Sequence, residues 1–353
     1  MEEIIDTKRS SVEGREGALV IYIDILMRFY AQEEIESRCD QLYLAFLKSI
    51  SSPSEKEASL ALRAIALTLI TNPSETAYDG LYKRLQNTYT ESEFPTVKAA
   101  AIHTMSAAAI YGGAGDDEIE QIMDDLLAIV ESDGASIDAD DNGEVVAAAT
   151  EAWGYLLTYV DDMEDKTEVA MEAFVEQLES RDTSVQITAG TNIALLFEKS
   201  FTSREEDDEP ATEAESYDDE GHPLDVSFVK RYDAYRQKSQ LEYTLTQLSK
   251  ESSKKVAKKD RKSLHKHFAD VLNTVEHPPR GPAYSKAIDQ ETNRRYGSRM
   301  VVRVNKTGSM TIDKWWKLQR LQALKRVLGG GFVKHYTENE VVFESLPIMI
   351  SKS

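Results

Sequence analysis

The residues able to do chemistry lie in the last third of the chain. Lys254, Lys255, Lys258, Lys259, Arg261, Lys262 and Lys266 crowd into SKKVAKKDRKSLHKHFADVLNTVEHP, and Lys314, Trp315, Lys325 and Arg326 sit in IDKWWKLQRLQALKRVLGGG. Cations at this density suit a polyanion, because each Lys or Arg that neutralises a phosphate releases condensed counterions. A tryptophan among them can stack on an unpaired base or wedge into a protein groove. This is binding chemistry, with no bond made or broken. A solvated helix or a nuclear-localisation signal would use the same residue types.

Other candidates do not assemble. Asp138-Ala-Asp140-Asp-Asn142-Gly143 matches the first six positions of a calcium loop, but the twelfth, which should be a bidentate Glu, is Ala149. Gly112-Gly113-Ala114-Gly115 follows a helical pattern, precedes two aspartates and lacks the lysine of a phosphate loop, so it reads as a helix cap and turn. His265 and His267 are two residues apart and point in different directions on a helix, whereas a metal pair needs i, i+4. No nucleophile–base set is visible, so neither catalysis nor a cofactor, metal or small-molecule substrate is expected.

The cations need elements to hold them. Leu264, Phe268, Val271, Leu272 and Val275 recur at helical spacing, giving the basic helix an apolar face along its C-terminal half. Val226–Leu248 is also helical, with Leu241, Leu245 and Leu248 on one face, and His277-Pro278-Pro279-Arg280-Gly281-Pro282 ends the basic helix. Arg299–Val304 and Met310–Ile312 flank Asn305-Lys306-Thr307-Gly308, the pattern of a short β-hairpin. Asp313 is a candidate N-cap for the next helix. On its wheel Trp316, Leu321, Ala323, Leu324, Val327 and Leu328 share one arc, so Trp316 is expected in the core and Trp315 at a partner. Gly329-Gly330-Gly331 closes that helix, and a short one over Thr337–Leu346 precedes Pro347.

Everything before these elements is acidic. Residues 1–229 hold 15 Lys and Arg against 50 Asp and Glu; residues 230–353 hold 26 against 12. The split gives a basic end that can meet phosphate and a body that phosphate repels. In that body Glu57–Ile70, Val97–Ile110, Val145–Tyr159 and Val185–Glu198 are small and apolar on nearly every face. Their starts lie 40, 48 and 40 residues apart, with amphipathic helices Tyr78–Tyr89, Asp117–Val130 and Lys166–Leu178 between them. A buried helix alternating with an exposed one at this period predicts a mainly α, armadillo/HEAT-like solenoid, with the longer interval taken up by the loop Ser132–Gly143. Its acidic surface would meet basic proteins or complexes, or serve only as a solvated face. Thr202–Gly221 is polar and acidic, the composition of a disordered linker. The expected organisation is a helical repeat over 1–200, a linker over 201–225, a helical segment with the basic helix over 226–280 and a C-terminal domain over 281–353. One cysteine excludes a disulfide framework. The opening MEEIIDTKRS lacks the pattern of a signal peptide, and no apolar run approaches the roughly 20 residues of a membrane span, so a soluble intracellular protein is expected.

Two separated motifs resemble the interferon-related developmental regulator family. The first is AKKDRK…F.DVL..VE, here Ala257–Lys262, Phe268–Leu272 and Val275-Glu276; the second is I-D-x-W…VLG-x-G…H…NE, here Ile312, Asp313, Trp315, Val327, Leu328, Gly329, Gly331, His335, Asn339 and Glu340. Leu321 and Leu324 replace aromatics of the family pattern, and the sequence after Val342 is shortened. The resemblance implies an armadillo-like N-terminal part and a non-enzymatic regulator. Members associate with ribosomes that are not translating, where the C-terminal region occupies the tRNA and mRNA path; they are also described as transcriptional co-regulators acting with deacetylase complexes. For this chain it implies rRNA as partner of the basic third, a cytoplasmic location, and the nucleus as a second.

Overall fold

The computed structural model describes residues 1–6, 11–209, 227–250, 258–288, 295–304 and 308–347. In chain order the helices are α1 (Glu2–Ile5), α2 (Val12–Arg28), α3 (Gln32–Ile35), α4 (Cys39–Ile50), α5 (Glu55–Thr71), α6 (Ala77–Glu91), α7 (Pro95–Tyr111), α8 (Asp116–Glu131) and α9 (Gly143–Leu157). They continue as α10 (Glu164–Gln177), α11 (Thr183–Lys199), α12 (Lys238–Lys250), α13 (Lys258–Glu276), α14 (Trp315–Leu328), α15 (Phe332–Glu338) and α16 (Glu340–Ser345). The strands are β1 (Phe201–Ser203), β2 (Phe228–Lys230), β3 (Tyr284–Ile288), β4 (Arg295–Ser298), β5 (Val301–Arg303) and β6 (Ser309–Thr311), paired as β1–β2, β3–β4 and β5–β6. Among the described residues no helix is long and apolar enough to cross a membrane. The chain divides into two compact units, Met1–Asp161 with Val302–Met310 and Trp316–Ser353, and Asp162–Val301 with Thr311–Trp315.

In the first unit the sequence marks its own helix starts. Ser11, Ser54 and Asn142 each accept the backbone N–H three residues on, and Pro95 opens α7. α5 packs between α2 and α7, and α7 between α5 and α9; α4, α6 and α8 lie against α5, α7 and α9 respectively. The alanines of α5 (Ala58, Ala61, Ala64) and α7 (Ala101, Ala108) are buried, and small side chains let neighbouring backbones approach on more than one side. This is the helical-repeat solenoid that the period near 40 predicts.

The interval between α8 and α9 is filled by a tight loop, with Asp133, Gly134, Asp138 and Asp141 all at positive φ. Buried Lys98 ties it to the repeat, donating from Nζ to the carbonyls of Thr90 (2.7 Å), Tyr89 (3.3 Å) and Ile137 (2.7 Å). Three carbonyls on one ammonium leave no lone donor in a site where burial disfavours the charge and lowers the Lys98 pKa.

The inner helices are buried on their remaining side by the end of the chain. The turn Gly329–Gly331 and α15 pack on α2, and Leu318, Leu321, Leu324, Leu328, Phe332, Tyr336 and Val342 are buried. Three polar side chains of this segment reach helix C-termini, where the last carbonyls lack intrahelical partners. His335 Nε2 lies 2.7 Å from the Leu26 carbonyl at the end of α2, Asn339 Nδ2 donates to Ile70 of α5 (2.9 Å), and Arg320 Nη2 donates to Thr158 after α9 (2.7 Å). Reciprocally, Arg63 of α5 donates to the Val327 carbonyl near the end of α14 (3.2 Å).

In the second unit α11 packs between α10 and α13, and α12 lies on α13. Phe268 and Val271 of α13 reach Gly190 of α11, where an added Cβ would come within 3.2 Å of the Phe268 ring. The acidic stretch expected to begin a disordered linker starts instead as strand β1, paired with β2 in the register Phe201↔Lys230, and Arg231 grips Asp208 through two bonds of 2.6 and 2.8 Å. Local composition hid this, because the partner strand lies beyond the whole acidic segment. Strands β5 and β6 pair as expected on either side of residues 305–307, which lie outside the described residues; a further antiparallel pair, β3–β4, matches Tyr284 with Ser298 and Ser285 with Gly297.

Candidate nucleic-acid interface

The cationic candidates divide between the two units. In the second unit α13 carries the densest set. Its apolar stripe Leu264, Phe268, Val271 and Val275 is buried, as the helical spacing requires. Lys262 and Lys266, one turn apart, are exposed on its other side. Lys258, Lys259 and Arg261 belong to the first turn of the same helix, and Lys254 and Lys255 lie outside the described residues.

α13 is held by polar contacts as well as by its stripe. His267 Nε2 lies 2.9 Å from the Ile187 carbonyl, and burial pushes its pKa down to about 4, so the ring is neutral and donates that proton. Thr274 Oγ1 donates to the Arg280 carbonyl at 2.7 Å, closing the turn after the helix.

Trp315 belongs to this core, which reverses the expectation for the two tryptophans. It is 1% exposed. Its indole Nε1 donates to Thr274 Oγ1 at 2.8 Å, its ring stands edge-on to His267, and its backbone N–H donates to the buried carboxylate of Glu198 at 2.8 Å. Glu198 thus accepts an N–H that the start of α14 leaves without an intrahelical partner. Trp316 is the half-exposed one, with the Arg320 and Lys317 cations 5.0 and 5.6 Å from its ring. The wheel misled because α14 is apolar around most of its circumference; the buried arc runs through Trp315, Leu318, Leu321, Leu324 and Leu328. Lys314 is half-buried, donates to the Pro279 carbonyl (3.2 Å) and lies 4.2 Å from the Phe228 ring.

Lys325 and Arg326 fall in the first unit. Lys325 is exposed beside the Phe332 ring, at 5.7 Å. Arg326 is engaged internally, with Nη2 2.6 Å from Glu151 Oε2. Burial raises the Glu151 pKa and lowers that of Arg326, and each charge opposes the other's shift. His103 Nε2 lies 3.4 Å from the same carboxylate; burial, and then the Arg326 charge, hold its pKa well down. Of the two, Lys325 alone presents its cation outward.

Sequence reading passed over two groups. Arg320 is a clamp: beyond its bonds to Thr158 it lies 3.9 Å from the Tyr159 ring and donates to the Ser345 carbonyl. The β3–β4 pair and the residues flanking it interleave cations and aromatics, with Arg280 5.0 Å from the Tyr284 ring, Arg299 4.3 Å from Tyr296, and Lys286, Tyr296 and Arg299 exposed. Its signal was the alternation Tyr284, Lys286, Ile288 answered by Arg295 and Arg299, weakened by the bulge between Ser285 and Ile288. Among the described residues no three His, Cys, Asp or Glu side chains are arranged to hold a metal ion. The EF-like fragment leads into α9, where Ala149 is fully buried.

The model of the family described as interferon-related developmental regulator matches residues 1–276, which end on the last residue of α13. A Schizosaccharomyces pombe protein described as uncharacterized is 30% identical over 349 residues, spanning 97% of this chain and 72% of the relative.

Proposed function

We propose, for a chain that belongs to the interferon-related developmental regulator family, that it regulates by binding and that its partner is the ribosome when no message is being read. The observation that carries this reading is α13: an apolar stripe is spent on the second unit's core while Lys262 and Lys266 stay exposed and the first turn adds Lys258, Lys259 and Arg261. A cationic helix fixed by its opposite face meets rRNA phosphates without first losing conformational entropy. With Trp315 buried, we assign base stacking to the exposed Tyr296 of β4, beside Arg299. The body supports a non-enzymatic part in this, since a solenoid offers surfaces rather than enclosed pockets.

The test is co-sedimentation of the full chain with ribosomal particles in a sucrose gradient, with and without RNase. Reversing Lys258, Lys259, Arg261 and Lys262 to Glu should release the protein at physiological salt, and the log–log salt slope should fall by about 0.7–0.9 for each phosphate no longer neutralised. The reversed helix should still form, because glutamates in a first helical turn are favoured by the dipole. Retention of the reversed protein on the particles sinks the reading. Association that survives nuclease and accompanies nuclear accumulation would favour instead a transcriptional scaffold working through the acidic repeat.

A further inference from the structure

The row of inner helices in the first unit is unfinished at one end. α5 and α7 each have an inner helix on both sides, whereas α2 has α5 as its single inner-helix neighbour, with the one-turn α1 also against it. Terminal helices of a solenoid ordinarily turn a polar face outward. α2 does the opposite: Ile21 and Ile25, one turn apart, are 59% and 47% exposed, and Phe29, the extended residue that follows the helix, is 59% exposed. This is a ridge of the kind that fills the groove of a neighbouring helix. It borders a cavity of about 510 Å³ whose floor includes Ala18, Tyr22, Leu26 and Ile35.

Charge decides what lies there. The charged groups around the cavity are Glu3, Glu34, Lys334, Glu338 and the Met1 ammonium, and Lys334 is already paired with Glu338. Asp24 on α2 is held by Arg28. The rim is therefore net negative, with Glu3 and Glu34 exposed. A second copy of the chain would set this rim against itself, and like charges across an interface oppose association. An anionic lipid surface would be repelled in the same way.

We propose that the α2 ridge docks an amphipathic helix of a partner protein, with apolar residues on one face and Lys or Arg along its margins. The partner helix supplies the missing neighbour of α2, its apolar face covering Ile21, Ile25 and Phe29 and its cations meeting Glu3 and Glu34. This is the helix-in-groove mode, read as i, i+3, i+4 and i+7 anchors. It is independent of the ribosome reading, which rests on α13.

The probe is a synthetic 18-residue helix with Leu at those anchor positions and Lys elsewhere, compared with the same peptide carrying Glu in place of Lys. Binding to the full chain is measured by fluorescence anisotropy at about 0.15 M salt, where the Debye length is about 8 Å and diffuse attraction to an acidic body is largely screened. The Lys peptide should bind and the Glu peptide should not. The variant Ile21→Glu/Ile25→Glu should weaken the Lys peptide at least tenfold while leaving the circular dichroism and melting temperature unchanged, since both side chains are exposed. Equal binding to wild type and variant overturns the proposal, because the attraction would then be general. Absence of Lys-peptide binding also overturns it, as does a wild-type dimer that the double substitution splits, which would show a second copy on the ridge.

Discussion

Replacing the two adjacent tryptophans one at a time separates two accounts of the C-terminal helix. Trp315→Ala removes a side chain that is 1% exposed and takes a hydrogen-bond donor from Thr274. Truncating a buried Trp costs about 3–5 kcal/mol. The backbone bond to Glu198 survives, and Thr274 keeps its bond to Arg280, so no further large term is added. Trp316→Ala removes a half-exposed ring flanked by the cations of half-buried Arg320 and buried Lys317, and cation–ring pairs outside a fully desolvated site contribute about 0.5–1 kcal/mol each. With a urea slope of about 2 kcal/mol/M, the first change should lower the unfolding midpoint by roughly 2 M and the second by about 0.5–1 M. Urea unfolding followed by far-ultraviolet circular dichroism gives both midpoints. Tryptophan emission adds a check: losing Trp316 should shift the remaining spectrum to the blue, because Trp153 and Trp315 are both buried. A Trp316→Ala protein that unfolds earlier than Trp315→Ala would refute the placement of α14.

Three further outcomes follow from buried polar groups and close approaches. Lys98→Met should lower stability by about 3 kcal/mol, since it leaves three carbonyls without their shared donor, and the loss should appear as faster amide exchange in the loop between α8 and α9. Acid should destabilise the second unit through His267, whose pKa is held near 4 in the folded chain against about 6.5 unfolded. The unfolded chain then takes up the proton first, so stability falls as pH drops from about 6.5 to 4, by up to about 1.4 kcal/mol per unit, and a His267→Gln protein should lose that component in a melting-temperature profile. Gly281→Ala should abolish the native unfolding transition, because its Cβ would fall on the Asp313 carbonyl, whereas Gly80→Ala, with open space around the Cβ, should leave stability equal or raised.

The solenoid was legible because its signal repeats. Four segments of the same character at a period near 40 reinforce one another, and the period survives a loop that breaks it once. The docking face of α13 was legible for a similar reason: Leu264, Phe268, Val271 and Val275 fix one side of a helix without reference to anything else. The facing of Trp315 was not. It depends on Thr274 and Glu198, 41 and 117 residues away, and helical phase alone cannot rank two adjacent indoles on a helix that is apolar most of the way round. The pairing of β1 with β2 was hidden likewise, since no local pattern in Phe201–Ser203 announces a partner at Phe228–Lys230. The role of Arg320 was masked by its company: in a run of cations it looks like one more, and its geometry sets it apart.

The reach of His335, Asn339 and Arg320 to the ends of α2, α5 and α9 also bears on the order in which the protein can be made. The inner helices leave the ribosome first, and the side chains that complete them follow roughly 160 to 310 residues later. Pairings so far apart in sequence make for slow closure. Until synthesis ends, the α2–α9 row presents an uncovered apolar face of the kind that chaperones hold and that aggregates form on. A chain cut short after the repeat would keep that nascent face for good, so a deletion series that trims the C-terminus to map partner binding would also be removing part of the fold it sets out to isolate.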